Sequence, residues 1–125
     1  IGPDTDRPET SGYNYDNKAI RNFSMTHLSG PGCRNMGEVA FLPGAGDNLA
    51  GSWPAPYTFS KKTESASPGY YRVRFDNGIG LEVSASERTG IARINFGSEK
   101  KSSSAEFLIN TGINGIGKTQ GRVVV

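Results

Sequence analysis

The chain has one histidine and one cysteine, His27 and Cys33, and both fall in the segment Phe23-Ser-Met-Thr-His-Leu-Ser-Gly-Pro-Gly-Cys33. Imidazole titrates near neutrality, and its two ring nitrogens differ in character. Ser24, Thr26, Ser29 and the glycines Gly30 and Gly32 crowd around it, so hydroxyls and backbone amides accompany a proton acceptor. No helical or strand-like spacing of apolar residues runs through the segment. That predicts a loop, and loops host function more often than they build cores. The plainer alternative is that His27 ties the loop to its own domain.

Other chemistry is scarce. Serines and aspartates are plentiful, but no spacing marks a Ser-His-Asp triad. There is no His-Glu-x-x-His, no Cys-x-x-Cys and no histidine cluster, which argues against zinc. Gly112, four residues, then Gly117-Lys118-Thr119 fits the spacing of a phosphate loop. A true one joins a buried strand to a helix, and Gln120 to Val123 reads as a strand. Asn22-Phe23-Ser24 is an N-glycosylation acceptor pattern that arises often by chance. Trp53, Tyr57 and Phe59 lie in or beside loops. Their flat apolar faces suit stacking against sugar rings, or else they belong to the core.

Composition sets the frame for these residues. At 125 residues the chain fits one domain able to bury a core. Hydrophobic residues make up 34%, and 17 glycines and 7 prolines favour turns and short strands over helices. Fourteen basic against 12 acidic residues give a net charge of +2. That balance, with no basic run interleaved with aromatics, points away from nucleic acid and from a membrane surface. No stretch is apolar enough for a membrane-spanning helix. A single cysteine excludes an internal disulfide scaffold.

The elements that must position the candidates are strands. Residues 1–22 are polar and turn-rich, with Tyr13 and Tyr15 alternating in their one strand-like piece. Glu38 to Leu42, bounded by Gly37 and Pro43, reads as a buried strand. Tyr71, Val73 and Phe75 alternate with Arg72 and Arg74, Asp76-Asn77-Gly78 supplies a turn, and Ile79, Leu81, Val83 and Ala85 alternate again. This predicts a β-hairpin with both apolar sets on one face. Ile91 to Phe96 and Glu106 to Asn110 follow as strands, and Thr111 to Gly121 reads as a glycine-rich loop. No segment has a capped amphipathic helical pattern. The expected fold is all-β, an antiparallel β-sandwich truncated at both ends. It lacks an opening strand and stops within the β-branched run Val123 to Val125, an edge that invites aggregation if unpaired. Residues 1–125 are therefore expected to be one partial domain of a larger protein.

Taken in order, several pieces resemble the N-terminal domain of family-92 glycoside hydrolases. They are Gly2-Pro3-Asp4-Thr5, then Gly12-Tyr13-x-Tyr15, then Phe23-Ser24-x-Thr26-His27-Leu28-Ser29-Gly30-x-Gly32-Cys33. Phe41-Leu42-Pro43, Phe59-Ser60, Ala66-Ser67-Pro68-Gly69-Tyr70-Tyr71 and Leu81-x-Val83-x-Ala85-x-x-Arg88-x-Gly90 continue the series. Phe-Ser-x-Thr-His-Leu-Ser-Gly is its most specific part. The resemblance covers roughly residues 2–110. The chain departs from the family's usual pattern at Met25, where a histidine is common, and at Glu38, where an aspartate is.

This resemblance implies a calcium-dependent, exo-acting, inverting α-mannosidase acting on α-mannoside glycans. It implies a secreted or periplasmic bacterial enzyme of N-glycan processing. Its β-sandwich would pack on a helical (α/α)6 domain holding the general acid and base, about 6.5–9.5 Å apart as inversion requires. This chain alone is then expected to be inactive and to bind no calcium itself. His27 and Ser29 are expected at the sugar site facing the helical domain, joined by Asp4 and Trp53. The competing readings are a non-catalytic carbohydrate-binding or adhesive β-sandwich and a purely structural packing domain.

Overall fold

The computed structural model describes residues 1–5, 12–27, 38–45, 53–97, 105–110, 113–114 and 117–118. These form strands β1 (Gly2–Thr5), β2 (Ala19–Thr26), β3 (Glu38–Ala45), β4 (Tyr57–Thr58), β5 (Ser65–Ser67), β6 (Tyr70–Arg74), β7 (Gly80–Ala85), β8 (Gly90–Asn95), β9 (Ala105–Asn110), β10 (Ile113–Asn114) and β11 (Gly117–Lys118). One 3-10 turn, Lys61–Thr63, is the sole helical piece among the described residues. One sheet runs β1-β2-β3-β9, with β4 also on β2, and a second runs β5-β6-β7-β8. Every pairing is antiparallel. The expected all-β sandwich is the fold.

The predicted hairpin is β6–β7. Tyr71 stands opposite Val83 and Val73 opposite Leu81, and all four are buried. The turn closes through hydrogen bonds from Phe75 N to Ile79 O and from Gly78 N to Phe75 O. Asn77 Oδ1 accepts from Ile79 N, and Gly78 adopts φ +90°, which a side chain would strain.

The core lies between the sheets. Ile20, Phe23, Phe41 and Leu42 of the first sheet meet Tyr71, Val73, Phe75, Ile79, Leu81 and Val83 of the second. Phe23 is fully buried. Its ring lies 6.0 Å from Tyr71 and 6.4 Å from Phe75, edge-on to the latter, an arrangement aromatic quadrupoles favour. Phe59 stitches the sheets together: it bridges to Phe75, and its N–H reaches Lys18 O.

Four expectations change. The chain does open on a strand, β1, which pairs with β2. Phe23 to Thr26 is not loop but the end of β2. Its strand pattern is hidden because the register shifts between Asp4 and Thr5: Asp4 pairs with Asn22 and Thr5 with Ile20. Arg21 is thus an extra, bulged residue. A bulge resets the two-residue alternation, so Ile20 and Phe23 both reach the core although three positions apart. Tyr13 and Tyr15 are not strand either; residues 14–17 form a turn closed by Asn17 N on Asn14 O, with Asp16 N held by Asn14 Oδ1. Finally, the stretch Thr111 to Gly121, expected as loop, holds a short hairpin, Ile113 opposite Lys118 and Asn114 opposite Gly117. Val123 to Val125 lie outside the described residues.

Candidate functional site

The bulge decides what β2 presents on its other face. With Arg21 inserted, Asn22 and Ser24 fall beside Asp4 of β1, because Asn22 pairs with Asp4 and Ser24 with Gly2. His27 follows immediately after β2. These residues converge on one carboxylate. Asp4 Oδ1 lies 2.9 Å from His27 Nε2, and Asp4 Oδ2 accepts from the Asn22 amide and from the Ser24 hydroxyl. The Asp4 and His27 side chains are 15% and 18% exposed, sheltered enough for the contact to matter yet open to a ligand. An ionised carboxylate only accepts hydrogen bonds. Asp4 therefore holds the proton of neutral His27 on Nε2 and leaves Nδ1 as the acceptor.

A strap across the top fixes the pair. Thr5 is almost fully buried. Its N–H and hydroxyl both donate to Gly12 O, and its hydroxyl accepts from Asn14 N and from Asn17 Nδ2. Gly12 lies directly on the pair at φ +81°: a Cβ there would stand 2.5 Å from Asp4 Oδ1 and 2.8 Å from His27 Cδ2. Gly2 lies under the opposite edge, where a Cβ would be 3.8 Å from His27 Nδ1.

Of the four sequence candidates, the structure brings two together, His27 and Asp4. Ser29 lies outside the described residues, as does Cys33. Trp53 is half-buried against the core, and its indole N–H donates to Arg21 O at the bulge. Phe59 is core, and Tyr57 meets Phe75 edge-on. Sequence reasoning missed Asn22, Ser24 and Gly12 as members of the site. Asn22 and Ser24 are spaced as strand neighbours on one face, but the strand itself was hidden. The Asn22 nitrogen that a glycan would take is already engaged by Asp4 and Ser24. Met25 is exposed on β2, and Glu38 pairs with Thr26.

Among the described residues the donors of this cluster do not suit calcium, which prefers six to eight oxygen ligands: one described carboxylate stands here, and both its oxygens are engaged by His27, Asn22 and Ser24. Among the described residues no group of three or more His, Cys, Asp or Glu side chains converges to hold a metal.

Three pieces of sequence, around Asp4, Gly12 and Ser24–His27, therefore meet at one point. The model for the "Glycosyl hydrolase family 92 N-terminal domain" matches residues 1–123. The chain belongs to family 92. Its fold is similar to that of the family GH92 inverting mannosidase BT2199 from Bacteroides thetaiotaomicron, with a TM-score of 0.61 and 25% sequence identity. That likeness covers 76% of this family-92 domain and 13% of the mannosidase chain. No curated protein matches.

Proposed function

We propose that this family-92 domain is the N-terminal β-sandwich of an exo-acting, inverting α-mannosidase, and that it contributes the His27 side of the sugar site at an interface with a helical catalytic domain. The carrying observation is the Asp4–His27 pair, 2.9 Å apart, braced by Asn22, Ser24 and Gly12. Such bracing presets an imidazole in one tautomer, so its Nδ1 can accept a sugar hydroxyl without a cost of ordering. His27 binds and orients; proton transfer to the leaving oxygen and activation of water belong to carboxylates of the helical domain. Calcium, where the enzyme uses it, would be held by that domain and would polarise the sugar's hydroxyls.

The test uses the full-length enzyme. Removing one hydrogen bond to substrate costs about 1–3 kcal/mol, so His27→Ala is expected to lower kcat/KM for an aryl α-mannoside by roughly 5- to 150-fold. An unchanged kcat/KM with an intact fold, or an effect confined to thermal stability, refutes a role in sugar recognition.

A further inference from the structure

The open edge of the sandwich carries a second polar cluster, separate from Asp4 and His27. Glu64 follows the 3-10 turn, and its side chain is 8% exposed. Three donors hold it: Tyr71 Oη at 2.7 Å, Tyr13 Oη at 3.0 Å and Lys61 Nζ at 2.9 Å. Lys61 Nζ also donates to Tyr13 Oη at 3.0 Å and sits 4.8 Å from the centre of the Tyr15 ring. The ammonium also lies 5.0 Å from the centre of the Tyr13 ring and 4.8 Å from that of Phe59, so ring faces as well as oxygens hold it in place. Burial, reinforced by the bond to Glu64, pushes the Tyr71 hydroxyl far above its ordinary pKa. Burial likewise raises Tyr13. Both phenols stay neutral.

Beside this cluster lies a cavity of about 500 Å³ lined by Pro3, Tyr13, Tyr15, Lys61, Glu64 and Tyr71, among others. That is within the ordinary range for small-molecule sites, which pair apolar walls with a few fixed polar groups. The Lys61 and Glu64 charges cancel, which disfavours a charged ligand. Tyr15 is 70% exposed, so its ring offers a free apolar surface at the cavity's rim. An apolar ring face, neutral phenols and a fixed Lys–Glu pair match a molecule with one C–H-rich face and several hydroxyls.

We infer that this cavity is a second saccharide-binding site, taking a neutral pyranose that stacks on Tyr15 and hydrogen-bonds to Lys61 and Glu64. The inference stands on the cavity and holds whether or not His27 touches sugar. The polar groups are already held by one another, so binding them orders little. A lone monosaccharide in so open a site is expected to bind in the millimolar range.

The test titrates the uniformly 15N-labelled 125-residue chain with methyl α-D-mannopyranoside and with methyl β-D-glucopyranoside, following amide shifts. Saturable shifts are expected at Tyr13, Tyr15, Ser65 and Ala66 with at least one sugar. Tyr15→Ala is expected to weaken that binding at least fivefold, and Tyr15→Phe to keep it within twofold, since stacking needs the ring and not the hydroxyl. The exposure of Tyr15 makes both variants safe for folding. No saturable shift with either sugar overturns the inference. So do shifts confined to Asp4, Ser24 and His27, which would place the sugar at the other cluster, and so does binding indifferent to Tyr15→Ala.

Discussion

Gly12→Ala is the sharpest probe of the Asp4–His27 cluster. Two separate penalties follow from the geometry. The backbone holds φ +81°, where a Cβ costs about 1–2 kcal/mol. The Cβ would also lie 2.5 Å from Asp4 Oδ1 and 2.8 Å from His27 Cδ2, far inside ordinary contact. Either the strap lifts and breaks the 2.8 Å bond from Thr5 N to Gly12 O, or the carboxylate and imidazole part. Losing the neutral backbone bond costs about 0.5–1.5 kcal/mol and losing one to the charged carboxylate about 1.5–3 kcal/mol, which with the backbone penalty gives roughly 1.5–5 kcal/mol in all. Gly78→Ala is the control: its φ is +90°, and a Cβ there meets nothing within 4 Å, so it pays only the backbone penalty, about 1–2 kcal/mol. Urea denaturation of both variants at pH 7, followed by far-UV circular dichroism, separates the two effects. If Gly12→Ala destabilises by no more than about 0.5 kcal/mol beyond Gly78→Ala, the precision of additivity between independent sites, the strap does not brace the pair and the reasoning fails.

Two further outcomes are expected. The raised pKa of Tyr71, due first to burial and then to Glu64, means that its neutral form stabilises the fold. That contribution is whole below the unfolded pKa of about 10 and is lost as pH rises toward the folded value. The melting temperature should therefore fall above about pH 10, and Tyr71→Phe should flatten that fall; equal slopes would refute the assignment. The 125-residue chain alone should release no mannose from an aryl α-mannoside, with or without calcium. Calcium-dependent release by the purified chain would overturn the division of roles proposed above.

Legibility in the sequence followed the regularity of each strand. The β6–β7 hairpin was readable because every apolar residue from Tyr71 to Val83 keeps a period of two and the turn carries its own Asn-Gly chemistry. β2 was unreadable for the opposite reason. One inserted residue, Arg21, puts Ile20 and Phe23 on the same face, and a broken alternation looks like no strand at all. β9 was legible as a strand, but its place in the packing was not. Phe107 and Ile109 share a face with Phe41, yet both are about half exposed, since an edge strand can extend beyond the sheet that covers its neighbours. The pairing of Asp4 with His27 spans 23 residues and rests on the β1–β2 register, which no local spacing encodes. The resemblance drew attention to both residues, but only the register explains why they touch.

The single tryptophan of the chain donates its indole N–H to the carbonyl of Arg21, the residue whose insertion turns Asn22 and Ser24 toward Asp4. The protein thus carries an intrinsic fluorophore wired to the kink that assembles its polar cluster. Indole emission shifts with hydrogen bonding and solvent access, so slippage of β2 past β1 would register as a change of colour, with no label attached and no substrate required. Events at the cluster that leave the kink in place would be silent in that channel, and the two kinds of change can be told apart by light alone.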